Sequence, residues 1–266
     1  MRLYDAHNHF QDDRLNGDRD TIAAALPDIG LRRAVVAGSG VEDWAQVSAL
    51  AECYAWVQPS FGVHPWYVKE QPADWLDVLE TYVQRFPSAG VGEIGLDRWI
   101  ENADVELQVR MLRAQLDLAA RYNRPATVHC LRAFGLLNEV LSTHALPARG
   151  FLLHSYGGPV EMVAGFAKLG AYFSVSPYFL HERKARQWET FKAVPLDRLL
   201  LETDAPDMWP PDDINPHPLR DEAGKPINHP ANITLMYHEV AKLRRLPVEA
   251  LADQVERNFA ALFGIA

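Results

Sequence analysis

Only two of the 266 residues are cysteine, Cys53 and Cys130, and they form neither a C-x-x-C pair nor a spaced framework. A disulfide scaffold is excluded, and a reducing, cytoplasmic setting is expected. No apolar run approaches the roughly 20 residues that a membrane helix needs, so no membrane contact is expected. The N-terminus enters a strand-like stretch without a basic region or an apolar h-region, and no secretory leader is expected. Basic residues are scarce: 26 Lys and Arg stand against 35 Asp and Glu, for a formal net charge of -9. That balance excludes a broad basic surface tracking long nucleic acid, but not an enzyme engaging a few nucleotides beside bound cations. Nor does a glycine-rich phosphate turn follow the first strand-like run, which disfavours an open doubly wound sheet.

What is present is a composition with a sizeable core, 48% hydrophobic and 23% charged, over a length that suits one α/β barrel. Eight short apolar runs alternate with helical patterns: residues 2–9, 32–39, 57–65, 89–97, 124–130, 150–156, 171–176 and 199–206. Each is too short for a typical helix and rich in apolar or β-favouring residues. Between them, Val105 to Tyr122 brings Val105, Val109, Leu112, Leu116 and Ala119 near one face, and Phe134 to Leu141 is a second helical segment. Strands alternating with helices predict βαβ units and a parallel sheet. Eight such units predict a (β/α)8 TIM barrel as a single domain over 1–266, with the open doubly wound sheet as the alternative. One segment, residues 207–229, is rich in Pro, Asp and Asn and has no period. It reads as a long functional loop over the barrel mouth, ahead of closing helices from Ala231 to Arg245 and Val248 to Phe263.

In a barrel the reactive residues sit at the C-terminal ends of the strands. The eight runs are apolar until their last residues, where His7, His9, His64, Glu93, His129, His154, Glu202 and Asp204 appear. Residues i and i+2 of a strand share a side, so His7 and His9 can hold one cation together. Glu93 can bridge a pair with its two oxygens, His129 and His154 serve the second ion, and Asp204 approaches either ion or the water. Such mixed donors suit two divalent cations, drawn from Zn, Mn, Mg, Fe, Co or Ni.

The motifs "DAHNH", "GVHP", "GEIGLD", "VHC", "LLHSYGG" and "LLLETDAP", followed by "NFAALFG" at Asn258–Gly264, together resemble the TatD-like metal-dependent hydrolases of the amidohydrolase superfamily. The resemblance covers nearly the whole chain. It implies metal ligands at His7, His9, Glu93, His129, His154 and Asp204, with Asp204 and Glu93 catalytic. It also implies a deoxyribonuclease activity, often from the 3′ end, with DNA ends or short nucleic acid as substrate and no obligate protein partner. Departures fall outside the ligand set. Leu131 and Arg132 replace a common His-x-Arg spacing, "ETDAP" runs on into Asp207 and Met208, and the last loop reads "NHPAN".

Around that set, Asp5 and Glu202 are expected behind the ligands, orienting them. His64 and Arg132 are expected to contact substrate. Arg183, Lys184 and Arg186 stand as phosphate contacts or a solvated face, and Trp66, Tyr156 and Trp209 as groups that stack on a base or cap an apolar group; neither His217 nor His229 is assigned as a ligand. Hydrolysis of an ester, lactone or amide is the alternative chemistry, and a non-enzymatic interaction protein on the same barrel is the second.

Overall fold

The computed structural model describes residues 1–264 of the chain. Eight parallel strands follow one another around a single sheet in chain order. They are β1 (Leu3–Asn8), β2 (Leu31–Ala37), β3 (Val57–Phe61), β4 (Gly90–Asp97), β5 (Ala126–Leu131), β6 (Phe151–Leu153), β7 (Ala171–Val175) and β8 (Leu199–Leu201). The (β/α)8 expectation holds, and the reason is burial on both faces: β1, β3, β4, β7 and β8 are buried at every residue. Such strands must be continuously apolar, which is why they stand out as runs.

The outer layer comprises α1 (Arg19–Ala25), α2 (Val41–Cys53), α3 (Trp75–Arg85), α4 (Val105–Arg121) and α5 (Phe134–Thr143). It continues with α6 (Val163–Lys168), α7 (Gln187–Ala193), α8 (Ile233–Arg244) and α9 (Val248–Phe263). None of the described helices is long and apolar enough to cross a membrane. In α4, Asp104 caps the first turn by accepting from the Leu107 amide at 3.0 Å. Leu112, Leu116 and Ala119 are buried as the spacing predicts. The same face also buries two glutamines. Gln115 Oε1 accepts from Val63 N at 2.7 Å, and Gln108 Oε1 accepts from Asp97 N at 3.0 Å. The helix therefore fixes backbone amides of the chain after β3 and of the end of β4.

The barrel closes where the polar motifs begin. Asp204 N donates to His7 O at 3.0 Å, and His9 N donates to Ala205 O at 2.7 Å. The strands are shorter than their apolar runs, and β6 and β8 have only three residues each. His154, Glu202 and Asp204 thus lie just past the ladder, and His64 lies in the turn after β3. Glu93 is the opposite case, since β4 continues four residues beyond it, with a register shift between Val91 and Ile94.

The period-free segment 207–229 is not wholly loop. It carries an antiparallel hairpin of β9 (Pro218–Arg220) and β10 (Pro226–Asn228). Three-residue strands are too short to show alternation, and Pro is tolerated at such edges. The hairpin returns the chain to the segment after β8, where the Asn228 amide group donates to Thr203 O at 2.7 Å.

Candidate metal centre

Above the strand ends lies a cavity of about 1230 Å³, with His9, His64, Glu93, His129, His154 and Asp204 in its lining. Glu93, 2% exposed, occupies its floor. Its two oxygens face different histidines. Oε2 is 3.3 Å from His7 Nε2 and 3.1 Å from His9 Nε2. Oε1 is 3.0 Å from His129 Nδ1, 2.8 Å from His154 Nε2 and 3.3 Å from His64 Nε2. Asp204 Oδ1 completes the first cluster, 3.5 Å from His7 Nε2 and 3.7 Å from His9 Nε2.

The far side of two rings fixes which nitrogen carries a lone pair into the centre. His9 Nδ1 donates to Ala37 O at 2.8 Å, so that in the neutral ring Nε2 is the inward acceptor. His129 Nε2 donates to Asp97 Oδ2 at 2.9 Å, leaving Nδ1 inward. His64 is different. The Trp66 amide donates to its Nδ1 at 3.2 Å, so the neutral ring holds its proton on Nε2 and presents a donor. Burial pushes the His64 pKa down to about 4, which keeps that ring neutral.

Burial alone would raise the Glu93 pKa, but His154, His64, His7 and His129 around it hold it well below the carboxylate range. Burial likewise opposes charge on His154, and the Glu93 and Glu202 carboxylates override it, raising that ring well above its usual value. Asp204 is pushed up to about 7 by burial, helped by the nearby Glu202. A buried carboxylate cluster of this kind requires positive charge. His7 Nδ1 and His154 Nδ1 are buried without hydrogen-bond partners.

The donor set fits divalent cations. Donors at roughly 2.0–2.1 Å around a tetrahedral ion stand about 3.3 Å apart. Here His7 Nε2 and His9 Nε2 are 3.3 Å apart, as are His129 Nδ1 and His154 Nε2. Groups of donors converge at His7, His9 and Asp204, at His7, Glu93 and His154, at His64, Glu93 and His129, and at His154, Glu202 and Asp204.

Backbone conformation is specialised here. Asp204, Arg132 and Ser155 adopt positive φ values of 55°, 56° and 42°, conformations that cost an L-residue about 1–3 kcal/mol each. Gly95 has φ 146°, and a Cβ there would sit 2.0 Å from His129 O. Only glycine lets β4 approach β5 this closely.

The expected residues are not all used as anticipated. Glu202 accepts from Ser174 Oγ and stands 3.7 Å behind His154 Nδ1. Asp5 contacts no ring nitrogen of the centre. It accepts from Thr203 N at 3.0 Å and Asn8 Nδ2 at 3.0 Å, which joins the β1 and β8 ends, and burial raises its pKa to about 7. Arg132, Arg183, Lys184, Trp66 and Trp209 line the cavity, whereas Arg186 lies outside it. Tyr156 is no stacking group: it is 1% exposed, with its hydroxyl donating to Pro159 O at 2.9 Å. His217 and His229 pack on each other outside the cavity, ring centroids 5.4 Å apart.

Two participants escaped sequence reasoning. Asp97 is fully buried behind His129, and Trp99 stands on the cavity rim. Alternation offered a signal for Asp97, which is four residues after Glu93 on the same strand.

A family model described as TatD related DNase matches residues 4–264. A protein of Escherichia coli (strain K12) named uncharacterized metal-dependent hydrolase YjjV is 31% identical over 266 residues, covering 99% of this chain and 98% of its own. The crystal structure of YjjV from Escherichia coli K12, described as a TatD homolog, superimposes with a TM-score of 0.89 at 30% identity, covering 100% of this chain and 99% of that one. A protein of Pantoea ananatis named 3′-5′ ssDNA/RNA exonuclease TatD is 28% identical over 267 residues, covering 99% of this chain and 100% of its own.

Proposed function

The chain belongs to the TatD-related DNase family of metal-dependent hydrolases, and on that premise we propose that it removes nucleotides from the 3′ end of single-stranded nucleic acid by two-cation hydrolysis. One observation carries the reading. The two oxygens of Glu93 face separate histidine pairs, His7 with His9 and His129 with His154. In this assignment His7, His9, Glu93 and Asp204 would hold one cation, and Glu93, His129 and His154 would hold the other. When bound, a pair of divalent cations lowers the pKa of water from 15.7 to about 7 and neutralises phosphoryl oxygens.

The chain's own groups do the rest. Asp204, whose Oδ1 lies 3.5 Å from His7 Nε2, accepts the proton of the attacking water. His64 Nε2–H donates to a non-bridging phosphoryl oxygen, because its other nitrogen is already an acceptor. Arg132 on the rim adds charge to the phosphate's approach. Asp97 stands behind His129 and keeps that ring aimed inward, and Glu202 places a carboxylate behind His154. The free thiols of Cys53 and Cys130 support a reducing, cytoplasmic setting.

Metal-loaded protein incubated with single strands labelled at either end tests the reading. Mononucleotides released from the 3′ end, abolished by a chelator and restored by Mn or Mg, are expected. Hydrolysis only of an ester or lactone panel would move the chemistry to carbonyl substrates.

A further inference from the structure

Of the seven large apolar side chains that stand exposed among the described residues, four line the cavity: Trp66, Trp99, Leu131 and Trp209. All three exposed tryptophans are among them. Apolar surface collected at a site, rather than scattered, marks a ligand contact. Trp66 and Trp99 are 42% and 54% exposed, and their rings lie nearly parallel, 28° apart with centroids 6.4 Å apart.

Both are held by the carboxylate that holds His129. Asp97 Oδ2 accepts from Trp66 Nε1 at 2.7 Å and from His129 Nε2 at 2.9 Å, and Asp97 Oδ1 accepts from the Trp99 amide at 2.6 Å. A fully buried group therefore anchors the Trp66 indole and the Trp99 backbone beside the donors. Strand order puts the β3 and β4 ends across the barrel from the segment after β7. There Arg183 and Lys184 lie over the Tyr178 ring at 5.2 and 4.6 Å and line the same cavity. The mouth thus has an aromatic wall, a cationic wall and the donor cluster between.

We propose that Trp66 and Trp99 form a stacking platform for the unpaired base of the nucleotide being removed. The platform rests on the phosphodiesterase reading. Cations across the mouth select a chain of phosphates, and a flat base supplies the face that the indoles take up. Stacking is tolerant of sequence, since each base presents a π-face. A platform of this kind reads the presence of a base and not its identity.

Two single strands that differ only in the 3′-terminal residue, one normal and one abasic, separate base from sugar and phosphate. Metal-loaded wild-type protein is expected to prefer the normal end by roughly 5- to 150-fold in kcat/KM, the range that stacking of one base supplies. Trp99→Ala is expected to reduce that preference towards one, and Trp99→Phe to keep most of it. A wild-type enzyme that cuts both ends equally would leave the hydrolase reading standing and remove the platform. So would a Trp99→Ala enzyme with the preference intact. Should wild-type protein cut neither, phosphorothioate forms of both strands are compared by fluorescence anisotropy. Tighter binding of the normal end that depends on Trp99 then supports the platform while the hydrolase reading falls; equal binding overturns both.

Discussion

Asp97 Oδ2 accepts a hydrogen bond from His129 Nε2 at 2.9 Å, and this contact decides which nitrogen of His129 faces Glu93. Burial favours the neutral acid, yet the bonds from His129 and Trp66 bring the Asp97 pKa down to about 2. It is therefore ionised behind the ring at any working pH. Asp97→Asn removes that charge and can present an amide N–H to the ring instead. A loss of about 10- to 100-fold in affinity for the cation assigned to His129 is expected, the usual cost of removing a partner behind a ligand. Titration of metal-free protein with Mn or Zn reads it; affinity equal to wild type would deny Asp97 this role.

Asp204 links acidity to stability. Its pKa of about 7 in the folded chain lies above the roughly 3.9 of an unfolded aspartate. A raised folded pKa contributes stability that is fully present below the unfolded value and is lost as pH rises through the folded one. In the metal-free protein this contribution therefore fades from about pH 4 to beyond about pH 7. A cation held by the ionised carboxylate restores it, and competes with protons for the same atoms. The gain in Tm on adding Mn is expected to be larger at about pH 8 than at about pH 5.5. Asp204→Asn is expected to lower kcat by roughly 100- to 10,000-fold with the barrel folded. A larger metal-dependent gain in acid would contradict the first expectation, and unchanged turnover the second.

Gly95→Ala places a methyl group 2.0 Å from His129 O at a backbone φ of 146°. Either β4 or the His129 backbone must move, and His129 carries a proposed ligand atom. A loss of about 1–3 kcal/mol is expected from the overpacking alone. Thermal unfolding and metal titration should both register it. A variant with normal Tm and normal metal content would show that the close approach is dispensable.

The barrel was legible because parallel strands buried on both faces leave apolar runs that end in polar residues. His7 and His9 could be paired from alternation alone, since a strand puts i and i+2 on one side. Asp97 could not be paired with His129 in the same way. That contact depends on the β4–β5 register, which sets Gly95 opposite His129, and a register shift earlier in the same strand hides it from counting. Tyr156 misled for the converse reason. It follows His154 by two residues, but β6 ends at Leu153 and Ser155 turns with positive φ, so alternation no longer applies and the ring enters the core. The hairpin in 207–229 stayed hidden because its strands are three residues long, although Asn228 binds Thr203 O and so ties the hairpin to the segment after β8.

Metal content of wild-type and Glu93→Gln protein tests the central claim most directly. A carboxylate bridging two sites predicts two equivalents of divalent cation per chain in the wild type. Glu93→Gln, whose amide nitrogen has no lone pair to offer, predicts one tightly held equivalent at most. Two tightly held equivalents in the variant, or one alone in saturated wild-type protein, would contradict the bridging role of Glu93.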